Sequence, residues 1–130
     1  MNKKDLIDLI EKSSFIKENN YKIEEVKENE SATIKGYLTE TSYNPYKIAH
    51  GGYIFGLGDT AMGIAASSSG RKAVTLSANI NYLKPSSGKY LIAKAKIVKQ
   101  GKSTCYLTTK IYNDKKELVA VMDSNYFYVN

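Results

Sequence analysis

One cysteine, Cys105, and one histidine, His50, are all that the chain offers of the two residue types that most often hold zinc. No metal centre is therefore expected, and no cofactor is assigned. A lone cysteine also excludes an intrachain disulfide and fits a reducing compartment, here the cytoplasm. No stretch approaches the ~18 consecutive apolar residues of a membrane span. The N-terminal "MNKKDLIDLIEK" is broken by acids and lacks a small-residue cleavage site, so it does not read as a secretory signal. A GxSxG elbow, which would sharpen a serine nucleophile, is missing. Ser67, Ser68 and Ser69 fall at the end of a helical pattern, and Cys105 alternates within a strand pattern. Serine and cysteine hydrolases are set aside on these grounds. Internal repeats and linker-like segments are missing as well.

What is present suits one compact domain spanning residues 1–130. A chain of this size buries roughly two-thirds of the surface it exposes when unfolded, enough for a core without staples. The formal net charge of +6 is uneven. Residues 1–43 carry 7 basic and 9 acidic side chains, whereas residues 44–130 carry 12 and 4. The basic part attracts polyanions: nucleic acid, an anionic membrane surface or a phosphorylated small molecule. A solubilising lysine-rich surface would produce the same count.

The apolar pattern switches period along the chain. Leu6, Ile7, Leu9 and Ile10 have helical spacing, "YKIEEVKENE" is ambiguous between helix and strand, and "SATIKGYLTET" is strand-like. From Gly52 to about Ser68 the residues are apolar on every face, which predicts a buried helix with its stop near Gly70. Then Val74, Leu76, Ala78, Ile80 and Tyr82 alternate with Thr75, Ser77, Asn79 and Asn81. "KYLIAKAKIVK", "STCYLTTKIYN" and "LVAVMDSNYFYVN" follow, separated by the turns "PSSGK", "QGK" and "NDKKE". The expectation is an α+β domain in which a curled antiparallel sheet of five or six strands surrounds one long central helix. A helix apolar all round is hard to hide behind one small sheet, which hints at a second copy covering what remains.

Within that helix stands one charge, Asp59. Its helical neighbours are Phe55, Gly56, Met62 and Gly63, none of which can pair with a carboxylate. A buried carboxylate without a partner costs several kcal/mol or shifts its pKa upward, so Asp59 must meet a donor from another segment, another chain or water in a cleft. That makes it a functional-site candidate. Alternatively, Gly56 and Gly58 break the helix and leave Asp59 as an N-cap at Thr60. Just upstream, His50-Gly51-Gly52 opens the helix, where unsatisfied backbone N–H groups carry partial positive charge and two glycines permit close approach. Such a backbone can hold a developing oxyanion, although a glycine pair before a helix also serves as a plain turn, and His50 as a structural histidine. A carboxylate with an oxyanion-holding helix end suggests water attack on a carbonyl.

"NPYKIAHGGYIFGLGDTAMG" resembles the signature of the hotdog-fold acyl-CoA thioesterases of the PaaI-like (phenylacetate-pathway type) subgroup, with Asn44, His50, Gly51, Gly52, Leu57, Asp59 and Ala61 filling the motif positions. "TLSANINYLKP" and "KQGKSTCYLTTKIYNDKKELVAV" are similar to the sheet of that family, and the likeness runs from about Ser31 to the end, leaving residues 1–30 outside it. The resemblance implies a homodimer, often a homotetramer, with the site across the dimer interface and an acyl-CoA as substrate. It implies Asp59 as general base or, less often, nucleophile. Gly51 N–H and Asn44 would hold the thioester carbonyl, His50 would orient Asn44 or the substrate, and Thr75 would help hold the water. Gly52 joins the substrate-binding backbone, and Lys84, Lys89 and Lys102 sit near the turns where the family holds the nucleotide end. A ligand-binding hotdog protein without hydrolysis is the first competitor. A nucleic-acid-binding domain ranks last, because Lys94, Lys96 and Lys99 lack a clear aromatic interleave on the same face. Neither a nucleic acid nor a membrane is expected as partner.

Overall fold

The computed structural model describes residues 2–129. The chain runs α1 (Lys3–Glu11), α2 (Ser14–Glu18), β1 (Tyr21–Lys27), β2 (Ser31–Tyr37), a 3-10 turn (Glu40–Ser42), α3 (Gly51–Ala66), β3 (Lys72–Tyr82), β4 (Tyr90–Gln100), β5 (Thr104–Asn113) and β6 (Leu118–Val129). The six strands form one antiparallel sheet in the order β1-β2-β4-β5-β6-β3. The ambiguous "YKIEEVKENE" is therefore a strand and a turn: Tyr21, Lys22 and Ile23 pair with Gly36, Lys35 and Ile34. Helix α3 touches all six strands, as a helix apolar on every side requires.

Helix α3 is not broken at its inner glycines. A Cβ on Gly58 would overlap the Met122 sulfur, and one on Gly56 would come within 2.7 Å of the Tyr21 hydroxyl. The missing side chains let the sheet close onto the helix, and the tight packing repays the poor helix propensity of glycine. Leu57, Ala61, Met62, Ala65 and Ala66 have no solvent exposure. Gly51, Gly52, Phe55, Asp59, Thr60 and Gly63 form the one stripe of α3 that is not buried.

Strand β3 departs from simple alternation. Its register against β6 shifts between Thr75 and Ser77, so Val74 pairs with Phe127, Thr75 with Tyr126 and Ala78 with Ser124. The irregularity at Leu76 moves Thr75 from the polar face, where alternation puts it, to the inward face shared by Ala78 and Ile80. A bulge re-aims side chains in this way. β3 is also an edge strand, and Val74 and Leu76 on it are 51% and 62% exposed.

Candidate active site

The loop before α3 is built by its own side chains. Asn44 Oδ1 accepts from the backbone N–H groups of Tyr46 (2.9 Å) and Ile48 (3.3 Å), a local turn that asparagine favours. The loop is tied to its surroundings by Ala49 N–H to the Ser86 carbonyl and His50 N–H to the Ser42 carbonyl, each 2.7 Å. His50 then serves as N-cap: its Nδ1 accepts from Gly52 N–H at 2.8 Å. With Nδ1 taken up as acceptor, Nε2 is the ring nitrogen left to face other partners. Gly52 N–H is spent on this cap, whereas Gly51 N–H donates to no backbone carbonyl among the described residues outside the helix. The Gly51 carbonyl accepts from the Tyr82 hydroxyl at 2.6 Å, which ties the helix start to β3. His50 adjoins Gly51 in the chain, whereas the contacts of Asn44 are with Tyr46, Lys47 and Ile48 in its own turn.

Asp59 lies two turns further on, half-buried, inside an unbroken helix. It is not an N-cap. Its Oδ1 accepts from the Thr75 hydroxyl (2.8 Å) and from the Tyr126 hydroxyl (2.5 Å), which also approaches the Asp59 carbonyl at 2.6 Å. Both donors come from strands, β3 and β6, and no cation pairs with Asp59 among the described residues. Two hydroxyls on one carboxylate oxygen leave Oδ2 open to a further donor. Burial, followed by the charge of Asp59, pushes the Tyr126 phenol well above its ordinary value, so it stays protonated and keeps donating. Asp59, Thr60, Gly63 and Tyr126 line a cavity of about 210 Å³. Sequence reading did not name Tyr126 as a partner of Asp59: alternation puts it on the inner face of β6, but only the register places its hydroxyl on Asp59.

The candidate residues do not gather into one place within a chain. Gly51 and Asp59 are eight positions apart on one helix, about 12 Å along its axis. Lys84 is at the Gly51 end, beside a second cavity of about 300 Å³ lined by Ile48, Ala49, Gly51, Ile54 and Tyr82. Its ammonium pairs with Glu117 at 2.5 Å, and this contact with that of Asn113 holds the Glu117 carboxyl below its usual range. Lys89 donates its backbone N–H to Asp114. Lys102 is at the opposite end, its carbonyl accepting from Arg71, which stacks on the Tyr128 ring. Among the described residues no cluster of His, Cys, Asp and Glu could hold a metal, and no helix is long and apolar enough to cross a membrane.

The outer face of the sheet corrects one expectation. Lys94 lies opposite Lys110 on β5, and its ammonium stands 5.5 Å from the Tyr112 ring centroid. Lys35 stands 4.4 Å from that of Tyr90. The aromatic interleave that is missing along a single strand is supplied across strands.

Comparison with known proteins bears on the family and the fold. Residues 46–120 match the family model described as the thioesterase superfamily. The acyl-coenzyme A thioesterase PaaI of Escherichia coli is 34% identical over 91 residues, 69% of this chain and 65% of that protein. A protein of Archaeoglobus fulgidus is 31% identical over 100 residues, 76% of this chain and again 65% of the relative. Both matches therefore span less than two-thirds of these relatives' length. The solved structure of E. coli PaaI superposes with a TM-score of 0.91 at 26% identity, covering 98% of this chain and 92% of that one. A hypothetical thioesterase of Streptococcus pneumoniae, solved with coenzyme A, superposes with a TM-score of 0.80 at 33% identity, covering 85% and 87%. Two variants of the streptococcal protein replace an aspartate and, sixteen positions later, a threonine with alanine. Asp59 and Thr75 here are also sixteen apart. With its central helix wrapped by six antiparallel strands and more than half its length matched, the chain has the hotdog fold and belongs to the thioesterase superfamily.

Proposed function

We propose that the protein hydrolyses acyl-CoA thioesters by carboxylate-assisted water attack at a site shared between two copies of the chain, in the cytoplasm, with residues 1–130 acting as one unit. The observation that carries this reading is Asp59: a carboxylate in the central helix, bound only by two hydroxyls on Oδ1, facing a cavity. Water bound at Oδ2 gives a proton to Asp59 as its oxygen attacks the thioester carbonyl carbon. The carbonyl oxygen becomes an oxyanion, held by Gly51 N–H of a second copy at a helix start, with Asn44 beside it and His50 keeping that helix end in shape. Collapse breaks the carbon–sulfur bond, and the proton on Asp59 goes to the departing thiolate. Free acid and CoA leave.

The second copy follows from distance and from the sheet edge. A separation of about 12 Å between Gly51 and Asp59 of one chain is too long for both to touch one thioester carbonyl. The eleven-residue edge strand β3, with its exposed Val74 and Leu76, is the kind of strand that pairs with another copy. Such pairing would bring Lys84 and Lys102, at opposite ends of one chain, toward a common nucleotide. The streptococcal relative solved with coenzyme A and the matched aspartate–threonine spacing support the substrate class.

Thiol release from a panel of acyl-CoAs tests the proposal. Wild-type protein is expected to turn over, and Asp59→Asn to lose about 10²–10⁴-fold in kcat while still binding CoA. Tight binding of acyl-CoA by the wild type without any thiol release would instead make it a non-catalytic binder.

A further inference from the structure

The cavity at Asp59 has a wall built by the N-terminal segment. Ile10, Ser13, Phe15 and Ile16, from α1, the link after it and α2, close the side facing Asp59, Gly63 and Tyr126. All four lie upstream of the stretch matched by the family model, which starts at residue 46. Three of them are apolar, and the same cavity is lined by Asp59 and Tyr126. Phe15 is 55% exposed, yet its ring is held edge-on to Tyr21 at 6.0 Å between centroids. It sits against α3, where a Cβ on Gly56 would come 3.1 Å from its Cζ. Phe15 thus brings an apolar ring, packed against Tyr21, to the lining of the cavity.

Resting on the thioesterase reading, we infer that the N-terminal helical segment determines which acyl group the enzyme takes, with Phe15 as the main selecting residue and Ile10 beside it. The cavity measures about 210 Å³ within one chain and is open to solvent. Its apolar lining by Ile10, Phe15, Ile16, Ile64 and Ala73 suits an uncharged acyl group. A long fatty chain meets Phe15, and a carboxylated one would put a second negative charge beside Asp59. Phe15 acts on selectivity and leaves the reacting atoms to Asp59.

The experiment measures kcat/KM for acetyl-, hexanoyl- and decanoyl-CoA on the full-length protein carrying Phe15→Ala or Phe15→Trp. Opening the wall with Phe15→Ala should raise decanoyl over hexanoyl preference by about tenfold, and Phe15→Trp should lower it by a similar factor. Acetyl-CoA turnover should stay within about twofold of wild type in both, because its acyl group does not reach the wall. Opposite shifts from two replacements at one exposed position cannot come from misfolding. An unchanged order of substrates in both variants, with acetyl turnover retained, overturns the inference and leaves the thioesterase reading intact. Failure of the wild type to release thiol from any substrate overturns the thioesterase reading instead. The wall is then judged from binding of non-hydrolysable hexanoyl and decanoyl thioether analogues of CoA: the same opposite shifts uphold it, and unchanged affinities overturn it.

Discussion

Each face of the sheet carries a tyrosine–aspartate hydrogen bond, and the two sit in different surroundings. On the inner face Tyr126 donates to Asp59 at 2.5 Å, alongside Thr75, in a space closed by α3. On the outer face Tyr106 donates to Asp123 at 2.7 Å, both residues partly exposed, on a surface that also carries Lys35, Lys94 and Lys110. Asp59 and Asp123 are both partly exposed, and the difference lies in the phenols. Tyr106 has water as an alternative partner, so its hydrogen bond replaces one of similar worth, whereas Tyr126 is 3% exposed and would be left without a partner for its hydroxyl. Identical chemistry is therefore decorative on one face and consequential on the other.

Replacing the tyrosine of each pair sharpens this contrast. Tyr126→Phe should cost about 1.5–3 kcal/mol in denaturant unfolding, the range for a hydrogen bond to a charged group. Tyr106→Phe should leave the unfolding midpoint where it is. Equal losses from the two would break the comparison. Next in size is Gly58→Ala, which forces a methyl group onto the Met122 sulfur and Ile111. Overpacking of this kind costs about 1–3 kcal/mol, read as a lower midpoint with an unchanged m-value.

A smaller effect separates the inner tyrosines by pH. Burial pushes Tyr53 and Tyr128 up to about 12, and Tyr21 and Tyr126 further. Unfolded tyrosine titrates near 10. The raised folded values oppose ionisation, so the stability they carry is complete below pH ~10 and declines as pH rises above it. Melting temperatures across pH 8 to 11, with tyrosinate absorbance recorded in parallel, should show the decline. All eleven tyrosines ionising together near pH 10 in the folded protein would rule it out. Smallest of all, Lys110→Glu on the outer face removes a like-charge pair with Lys94 and should stabilise by about 0.2–0.5 kcal/mol without altering thiol release.

Much of the core was legible in the residues. The all-round apolar run predicted a buried helix to within a few residues of Gly51–Ala66, and the alternating runs became β3 to β6. Asp59 stood out because a charge without a helical partner is costly wherever it is buried. Less was legible near β1, where "YKIEEVK" has too few apolar residues to fix a period; pairing with β2 made it a strand. Thr75 was singled out but assigned to the wrong face, since one irregularity at Leu76 inverts alternation and leaves no mark in composition.

Sequence alone determined the period of each segment, the isolation of Asp59 and the glycines that open α3, because these depend on neighbours within a few positions. Only the tertiary structure decided that Tyr126 and Thr75 hold the Asp59 carboxylate, that Phe15 walls its cavity, and that lysines and tyrosines meet across β4 and β5. Those contacts join residues far apart along the chain. Strand register and sheet curvature bring them together, and both are set by how the whole core packs.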